Sequence, residues 1–292
     1  MAQAFNMGLE RYDMSGKREA LMLCVKEGND GAVGDLQIME TFFNDFGFVH
    51  EIVIDGSVQE MRDKLRSFRD RINRSHEDIS CVFVVTSSHG NRNVIIDPWE
   101  NTLEVDEIIH CFNDQQCPKL RGKPKVFMLD ACRGHMEDPG VCADKERDYH
   151  LMAQLSAQME TYDHRAYMNK FRSPLIPHMF VAYPTKPDFV AWMTNAGSHM
   201  FVKLAEVLAS ADTENEHLRD LFVKVNKKMV DEDTYTENGI RKTVMTVEST
   251  LTKALYLGRR RCSGFGDMYT SQLPSLMSEF FSPTFFDFPF RF

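Results

Sequence analysis

Residues 123–134 read KPKVFMLDACRG, a short apolar run that ends in a polar turn. An apolar run of this length, bounded by Pro and Gly, predicts a buried strand, here over 125–129. A second run, Ile79 to Val85, leads in the same way into the turn TSSHGN, which carries His89. Two predicted strands therefore end in turns that hold reactive side chains, one with Cys132 and one with His89.

The same alternation of apolar runs and longer helical patterns extends through the chain. Short runs predict further strands, and apolar spacings of three and four residues predict helices. The strands are predicted at 20–25, 48–53, 177–183 and 241–250, a hairpin at 94–101, and the helices at 35–46, 57–73, 197–209 and 214–230. Strands separated by such helices need crossover connections, which make them parallel and cover both faces of the sheet. The sequence therefore predicts an α/β fold with a mostly parallel central sheet.

The composition fits a globular protein outside the secretory pathway. Of 292 residues, 43% are hydrophobic and 26% charged, and the net charge of −9 differs from the basic balance usual in nucleic-acid-binding proteins. No apolar stretch approaches the ~18 residues of a membrane span, and the N-terminus lacks a secretory signal pattern. We expect a cytoplasmic protein, with a nuclear location also open, and no nucleic-acid or membrane partner.

The cysteines argue against disulfides and metal sites. There are seven, an odd number spread over the chain, and without a secretion signal a disulfide framework is not expected. Cys111 and Cys117 are separated by five residues but have no second ligand pair elsewhere. We therefore predict no metal and no cofactor.

The two reactive turns predict nucleophilic catalysis if their strands are neighbours, because reactive groups gather at the carboxyl ends of parallel strands. His89 would take the proton of the Cys132 thiol and later give one to a leaving amine. The backbone N–H groups of Gly90 and Cys132 would bind the oxyanion of a tetrahedral intermediate. A purely structural role for both side chains is the alternative.

Nucleotide binding is the other function that a parallel sheet suggests. Gly28, Gly31 and Gly34 follow the first strand, but their spacing is not that of a dinucleotide-binding motif, and no P-loop motif occurs. Nucleotide binding is therefore not expected.

The segments KPKVFMLDACRG at 123–134 and SSHGN at 87–91 resemble the caspase family of cysteine proteases, in which a histidine precedes the cysteine by about 50 residues. The resemblance extends over residues 12–258 and is nearest to a short-prodomain member associated with epidermal differentiation. It implies a three-layer caspase-like sandwich with one six-stranded sheet. It also implies that Cys132 and His89 form the catalytic dyad and that the substrates are proteins or peptides.

The resemblance divides the chain into five segments. It implies a short N-terminal peptide, a large-subunit segment, an intersubunit linker, a small-subunit segment and a Phe-rich tail, at 1–11, 12–135, 136–175, 176–258 and 259–292. The linker falls where the family is cut on activation. The tail holds 8 of the 22 phenylalanines, and it packs onto the body, is disordered, or docks a partner.

The residues that read the substrate depart from the family pattern. Caspases bind an aspartate at P1, the residue before the cleaved bond, with two arginines and a glutamine. This sequence has Asp130 at the glutamine position, Asn29 followed by Asp30 at the first arginine, and Trp192-Met193 where an aromatic residue precedes the second arginine. A P1 carboxylate would lose its cationic partners, at ~2–5 kcal/mol for a buried pair, and would meet like charge. Cleavage after aspartate is therefore not expected.

Two hypotheses follow. In the first, the pocket accepts a basic or neutral P1 residue, as the resemblance to metacaspases and paracaspases implies, since these carry an acidic residue at the same position and cleave after Arg or Lys. In the second, the chain is a weak or inactive pseudo-caspase that binds regulatory partners. Retention of both Cys132 and His89 favours the enzyme.

The segment 242–250 is the predicted dimer interface. It resembles the small-subunit strand that caspases pair across a two-fold axis, and an exposed edge strand with Val244, Met245 and Val247 favours a homodimer. A covered strand in a monomer is the alternative.

Overall fold

The computed structural model describes residues 9–140, 177–236 and 239–260 and the backbone of residues 290–291. The strands are β1 (Lys17–Cys24), β2 (Phe48–Ile54), β3 (Ile79–Ser87), β4 (His89–Asn91), β5 (Val94–Ile96), β6 (Thr102–Glu104), β7 (Lys125–Asp130), β8 (Gly134–Met136), β9 (Met179–Tyr183), β10 (Asp188–Phe189), β11 (Trp192–Thr194), β12 (Gly197–Ser198), β13 (Thr234–Thr236), β14 (Gly239–Arg241), β15 (Thr246–Ser249) and β16 (Phe290–Arg291). The helices are α1 (Ala32–Asp45), α2 (Val58–Arg74), α3 (Val105–His110), α4 (His199–Ser210) and α5 (Leu218–Asp231), with a 3₁₀ turn at Pro118–Leu120. Within these ranges, no helix is both long and apolar enough to cross a membrane.

The centre of the fold is a six-stranded sheet in the order β15-β9-β7-β3-β1-β2. The pairs between β9, β7, β3, β1 and β2 are parallel, and β15 runs antiparallel to β9. The prediction of a mostly parallel six-stranded sheet is confirmed.

Alternate residues of the central strands face two apolar cores, because successive side chains of a strand point to opposite faces. Phe83 and Met128 belong to the core under α1, α4 and α5. Val84 and Phe127 belong to the core under α2 and α3. The sheet is thus covered on both faces, as predicted.

Helix α2 illustrates how local sequence builds these layers. The Ser57 hydroxyl accepts a hydrogen bond from the Glu60 N–H (3.3 Å), and the Glu60 carboxylate accepts one from the Ser57 N–H (2.8 Å), a capping box that starts the helix. The buried face recurs at spacings of three and four residues and consists of Val58, Met61, Leu65, Phe68 and Ile72. Capping and periodicity together fix where the helix begins and which face it buries.

Two predicted elements differ from the structure. The hairpin predicted at 94–101 is part of a small three-stranded sheet formed by β4, β5 and β6. The sixth strand, predicted over 241–250, is limited to β15. Arg241 instead pairs in the β13–β14 hairpin, and the Lys242 N–H donates to the Asp138 carbonyl (2.8 Å).

The predicted linker begins in a paired segment, since Met136 belongs to β8 and Arg241 Nε lies 2.7 Å from Glu137 Oε2. The linker residues 141–175 lie outside the described residues, as do most of the N-terminal peptide and most of the tail.

Candidate active site

The two reactive turns lie side by side at the carboxyl edge of the sheet. Strands β3 and β7 pair in parallel with Ser87 opposite Asp130. Beyond this pair, the Ser88 N–H donates to the Asp130 carbonyl (3.1 Å). An ideal Cβ on Gly90 would lie 2.8 Å from the Cys132 carbonyl oxygen, so only glycine lets the chains approach this closely. The two predicted strands are therefore neighbours, and the turns that follow them lie against each other.

Cys132 is enclosed by the segment that leads into β11. It is 3% exposed and packs with Val190, Ala191 and Trp192 in a small apolar cluster. Its sulfur lies 3.3 Å from the Ala191 backbone nitrogen, whose N–H it accepts. Access to the thiol therefore depends on the segment 190–192.

His89 is half-buried, and its imidazole contacts the loop after β1. Its Nε2 lies 3.3 Å from the Glu27 carbonyl oxygen. Gly28 next to it has φ +68°, and an ideal Cβ there would lie 3.3 Å from Nε2. This glycine both allows the left-handed turn and keeps space for the imidazole.

The loop after Cys132 is held by the segment 184–190. Arg133 exchanges backbone hydrogen bonds with Asp188 (2.8 Å) and Phe189 (3.0 Å), in a short parallel pairing of β8 and β10. The Arg133 guanidinium also lies 3.9 Å from the ring centroid of Tyr183, a cation–π contact. These contacts fix the backbone that follows the thiol.

A buried pair of carboxyl groups lies beneath this loop. Ser87 and Asp130 share the sheet face that packs against α1. Asp35 of α1 accepts hydrogen bonds there from the Ser87 hydroxyl (2.7 Å) and the Ser198 N–H (2.7 Å). Asp130 is also fully buried, and neither of its carboxyl oxygens makes a hydrogen bond of normal geometry with the described residues, although the Ser198 side chain lies close enough to favour its charged form.

Burial makes both carboxyl groups difficult to ionise. Burial raises the pKa of Asp35 to about 6, although its hydrogen bonds from Ser87 and Ser198 lower it in part. The pKa of Asp130 is raised well above the ordinary value by burial and by the charge of Asp35, and Ser198 offsets only part of this rise. A buried carboxylate without a partner is costly, so this site favours a cation or a proton.

The two consecutive residues expected at the first arginine position, Asn29 and Asp30, differ in exposure. Asn29 is 3% exposed, and its side-chain amide has no hydrogen-bond partner among the described residues. Asp30, in contrast, is exposed at the surface. The second acid of the buried pair is therefore Asp35 and not Asp30.

Trp192 and Met193 begin β11 beside the thiol. Both are buried, at 5% and 1% exposure. An ideal Cβ on Gly31 would lie 2.4 Å from Met193 Cε and 2.6 Å from the Thr194 carbonyl oxygen. Met193 thus fills the space between β11 and the start of α1, and Gly31 permits it.

Asp35 is the residue of this site that our sequence prediction missed, although a signal for it exists. It lies on the apolar face of α1, four residues before Met39 and seven before Phe42. An acidic residue on an apolar helical stripe marks a buried polar site. What it faces depends on the register of β3 and β7, which the helix pattern does not contain.

A three-layer α/β fold with a cysteine and a histidine at adjacent strand ends defines a class of cysteine peptidase domains. Residues 17–256 match the Peptidase C14 family, described as the caspase domain. The chain belongs to the caspase family.

The similar proteins agree with this assignment. Human caspase-14 is 27% identical over 249 residues, covering 85% of this chain and 96% of the relative, and mouse caspase-14 is 29% identical over 250 residues, covering 85% and 95%. The crystal structure of caspase-1 from Spodoptera frugiperda aligns with a TM-score of 0.70 at 21% identity, covering 88% of this chain and 96% of that chain. That likeness establishes the caspase fold.

Proposed function

We propose that the chain is a cysteine endopeptidase that cleaves proteins or peptides after a basic residue. The observation that carries the proposal is Asp130, a fully buried carboxyl group two positions before Cys132 and beside a second buried acid, Asp35. A P1 guanidinium or ammonium group would supply the missing partner. Planar, bidentate pairing with a carboxylate makes arginine the better match.

The reaction uses the side chains at the two strand ends. His89 takes the proton of the Cys132 thiol, and the sulfur attacks the scissile carbonyl carbon. The N–H groups of Gly90 and Cys132 stabilise the oxyanion. His89 gives the proton to the leaving amine as the C–N bond breaks, and it then activates the water that hydrolyses the thioester.

The charge of the pocket is the basis for the expected order of P1 preference. A P1 aspartate would place a third carboxyl group near Asp35 and Asp130, where like charges in a buried site cost several kcal/mol. A neutral P1 residue would leave Asp130 without a partner and would gain less. We therefore expect the order basic, then neutral, then acidic.

A second candidate is a pseudo-caspase that keeps the fold to bind partners. It is favoured by the enclosure of Cys132 against Ala191 and by Met193, which is 1% exposed and fills the space beside α1. In this case Cys132 and His89 would be retained without turnover, and the exposed edges of the sheet would bind partner proteins.

A library of fluorogenic peptides that differ at P1 separates these candidates. We expect the full-length chain, intact or cut in its linker, to cleave after Arg or Lys. Cys132→Ala should abolish turnover, and Cys111→Ala, which removes a thiol from another part of the fold, should leave it unchanged.

Asp130→Asn should lower kcat/KM for basic substrates about 30-fold or more, since breaking a buried charge pair costs ~2–5 kcal/mol. Asp30→Asn is the matched control.

Three results would contradict the proposal. Preferred cleavage after aspartate would exclude the basic pocket, and equal activity of Asp130→Asn would remove its central residue. No turnover of any peptide, together with a thiol that ignores peptide-based alkylating probes, would favour the binding protein.

A further inference from the structure

The edge of β11 that faces away from β12 is occupied by a distant part of the same chain. Residues 290 and 291 form β16, which pairs antiparallel with β11 in the order β12-β11-β16. Arg291 lies opposite Trp192, and Phe290 lies opposite Met193.

This edge adjoins the nucleophile. β11 begins directly after Ala191, whose N–H contacts the sulfur of Cys132 at 3.3 Å. An extended peptide that reaches the thiol and uses main-chain hydrogen bonds for affinity would add to this edge, as in other cases of β-strand addition. Residues 290–291 therefore lie where such a peptide would pair.

We infer that the C-terminal segment is an intramolecular competitor of substrate, with residues 290–291 occupying in cis the edge of β11 that an extended peptide needs. The inference deepens the proposed function and rests on it for the nature of the peptide. The pairing itself requires no catalysis.

The energetics suit a displaceable contact. A ladder of two residues offers few hydrogen bonds, and each adds little net stability because water replaces it when the strands separate. Because residues 290–291 belong to the same chain as β11, their pairing is intramolecular and does not depend on protein concentration. A longer substrate strand that also fills the P1 pocket would displace residues 290–291 from β11. A peptide that makes few contacts would not.

The test removes the two N–H groups of β16 in the full chain. Phe290→Pro/Arg291→Pro prevents normal strand pairing, and Phe290→Leu/Arg291→Lys keeps both N–H groups as the matched control. Both pairs are placed in the Cys132→Ala chain, so that no readout depends on turnover. The measurements are amide hydrogen exchange at residues 192–194 and the Kd of a fluorescein-labelled extended peptide that ends in arginine.

We expect Phe290→Pro/Arg291→Pro to speed exchange at 192–194 and to lower the Kd of the peptide by roughly tenfold, because it removes the competing pairing. The control Phe290→Leu/Arg291→Lys should give the same exchange and the same Kd as the Cys132→Ala parent. Unchanged exchange would overturn the pairing, and faster exchange without tighter peptide binding would overturn the competition. The proposed function is judged separately, by turnover in the Cys132-intact chain, so its failure is distinguishable.

Discussion

Among single residues, two buried acids near the candidate dyad have the largest expected effect on stability and on the charge of the pocket. Asp35 and Asp130 are both fully buried, and among the described residues Asp35 accepts well-formed hydrogen bonds from Ser87 and Ser198, whereas Asp130 has only the weaker influence of the Ser198 side chain. Natural proteins keep such costly groups mainly where they serve a site. We therefore expect these acids to lower stability while they define what the pocket binds.

The pH dependence of stability tests this cost. An acid with a raised folded-state pKa binds its proton more tightly in the folded chain, so it stabilises the fold while protonated. The free energy of unfolding should therefore fall as pH rises from ~4, the ordinary pKa of aspartate, through about 6, the pKa of Asp35, and beyond it for Asp130.

Asp130→Asn should consequently raise the free energy of unfolding at pH 7 by about 1–3 kcal/mol, the usual cost of an unsatisfied buried polar group. Urea unfolding at pH 7 and pH 4 measures the effect, and the gain should shrink at pH 4. Asp30→Asn, at an exposed position, should change stability by less than ~0.5 kcal/mol. A gain that is equal at both pH values would show that the charge of Asp130 is not responsible.

At the scale of elements, α1 connects the two halves of the site. Its first turn packs against the β11–β12 turn so closely that an ideal Cβ on Gly34 would lie 2.2 Å from the Ala196 carbonyl oxygen. The same turn leads to Ser198, whose N–H donates to Asp35 at 2.7 Å. The position of the pocket therefore depends on a close helix–turn contact.

Gly34→Ala tests this contact. Glycine to alanine inside a helix ordinarily stabilises by roughly 0.5–1 kcal/mol. Here we expect destabilisation of ~1–3 kcal/mol, because the added methyl group meets backbone atoms that have little room to move. Val33→Ala, at a position 49% exposed on the same turn, is the control and should change little. Stabilisation by Gly34→Ala, measured by urea unfolding, would refute the contact.

At the scale of the whole molecule, the sheet has two outer strands, β15 and β2. Three of the four residues of β15, from Val247 to Ser249, are exposed, and an exposed edge can pair with another chain. The homodimer predicted through 242–250 would thus form at β15, extending one sheet across a two-fold axis.

Sedimentation equilibrium of the full chain checks this prediction. We expect a dimer whose Kd rises tenfold or more in Val247→Asp, because a two-fold interface brings both new charges together. Val49→Asp, at a residue 46% exposed on β2, is the control at the opposite edge. A monomer at all concentrations, or an equal effect of both variants, would contradict dimerisation through β15.

The sequence alone determined the layers of this protein and its candidate dyad. Alternation in the strands and the apolar stripe of α2 depend on neighbours two to four residues away, so they predict faces and approximate bounds. The positions of His89 and Cys132 followed because both stand at the ends of recognisable strands. The family signature in the same turns pointed to the same pair.

Only the tertiary structure decided what surrounds that pair. The approach of Asp35 to Ser198, the exposure of Asp30, the contact of Cys132 with Ala191 and the pairing of residues 290–291 with β11 all join segments that are distant in sequence or depend on how a loop turns. Such contacts follow from strand order and helix packing, which local periodicity does not encode. The sequence therefore predicted the candidate dyad, whereas only the fold determined the charge around it, the access to Cys132 and the strand edge beside it.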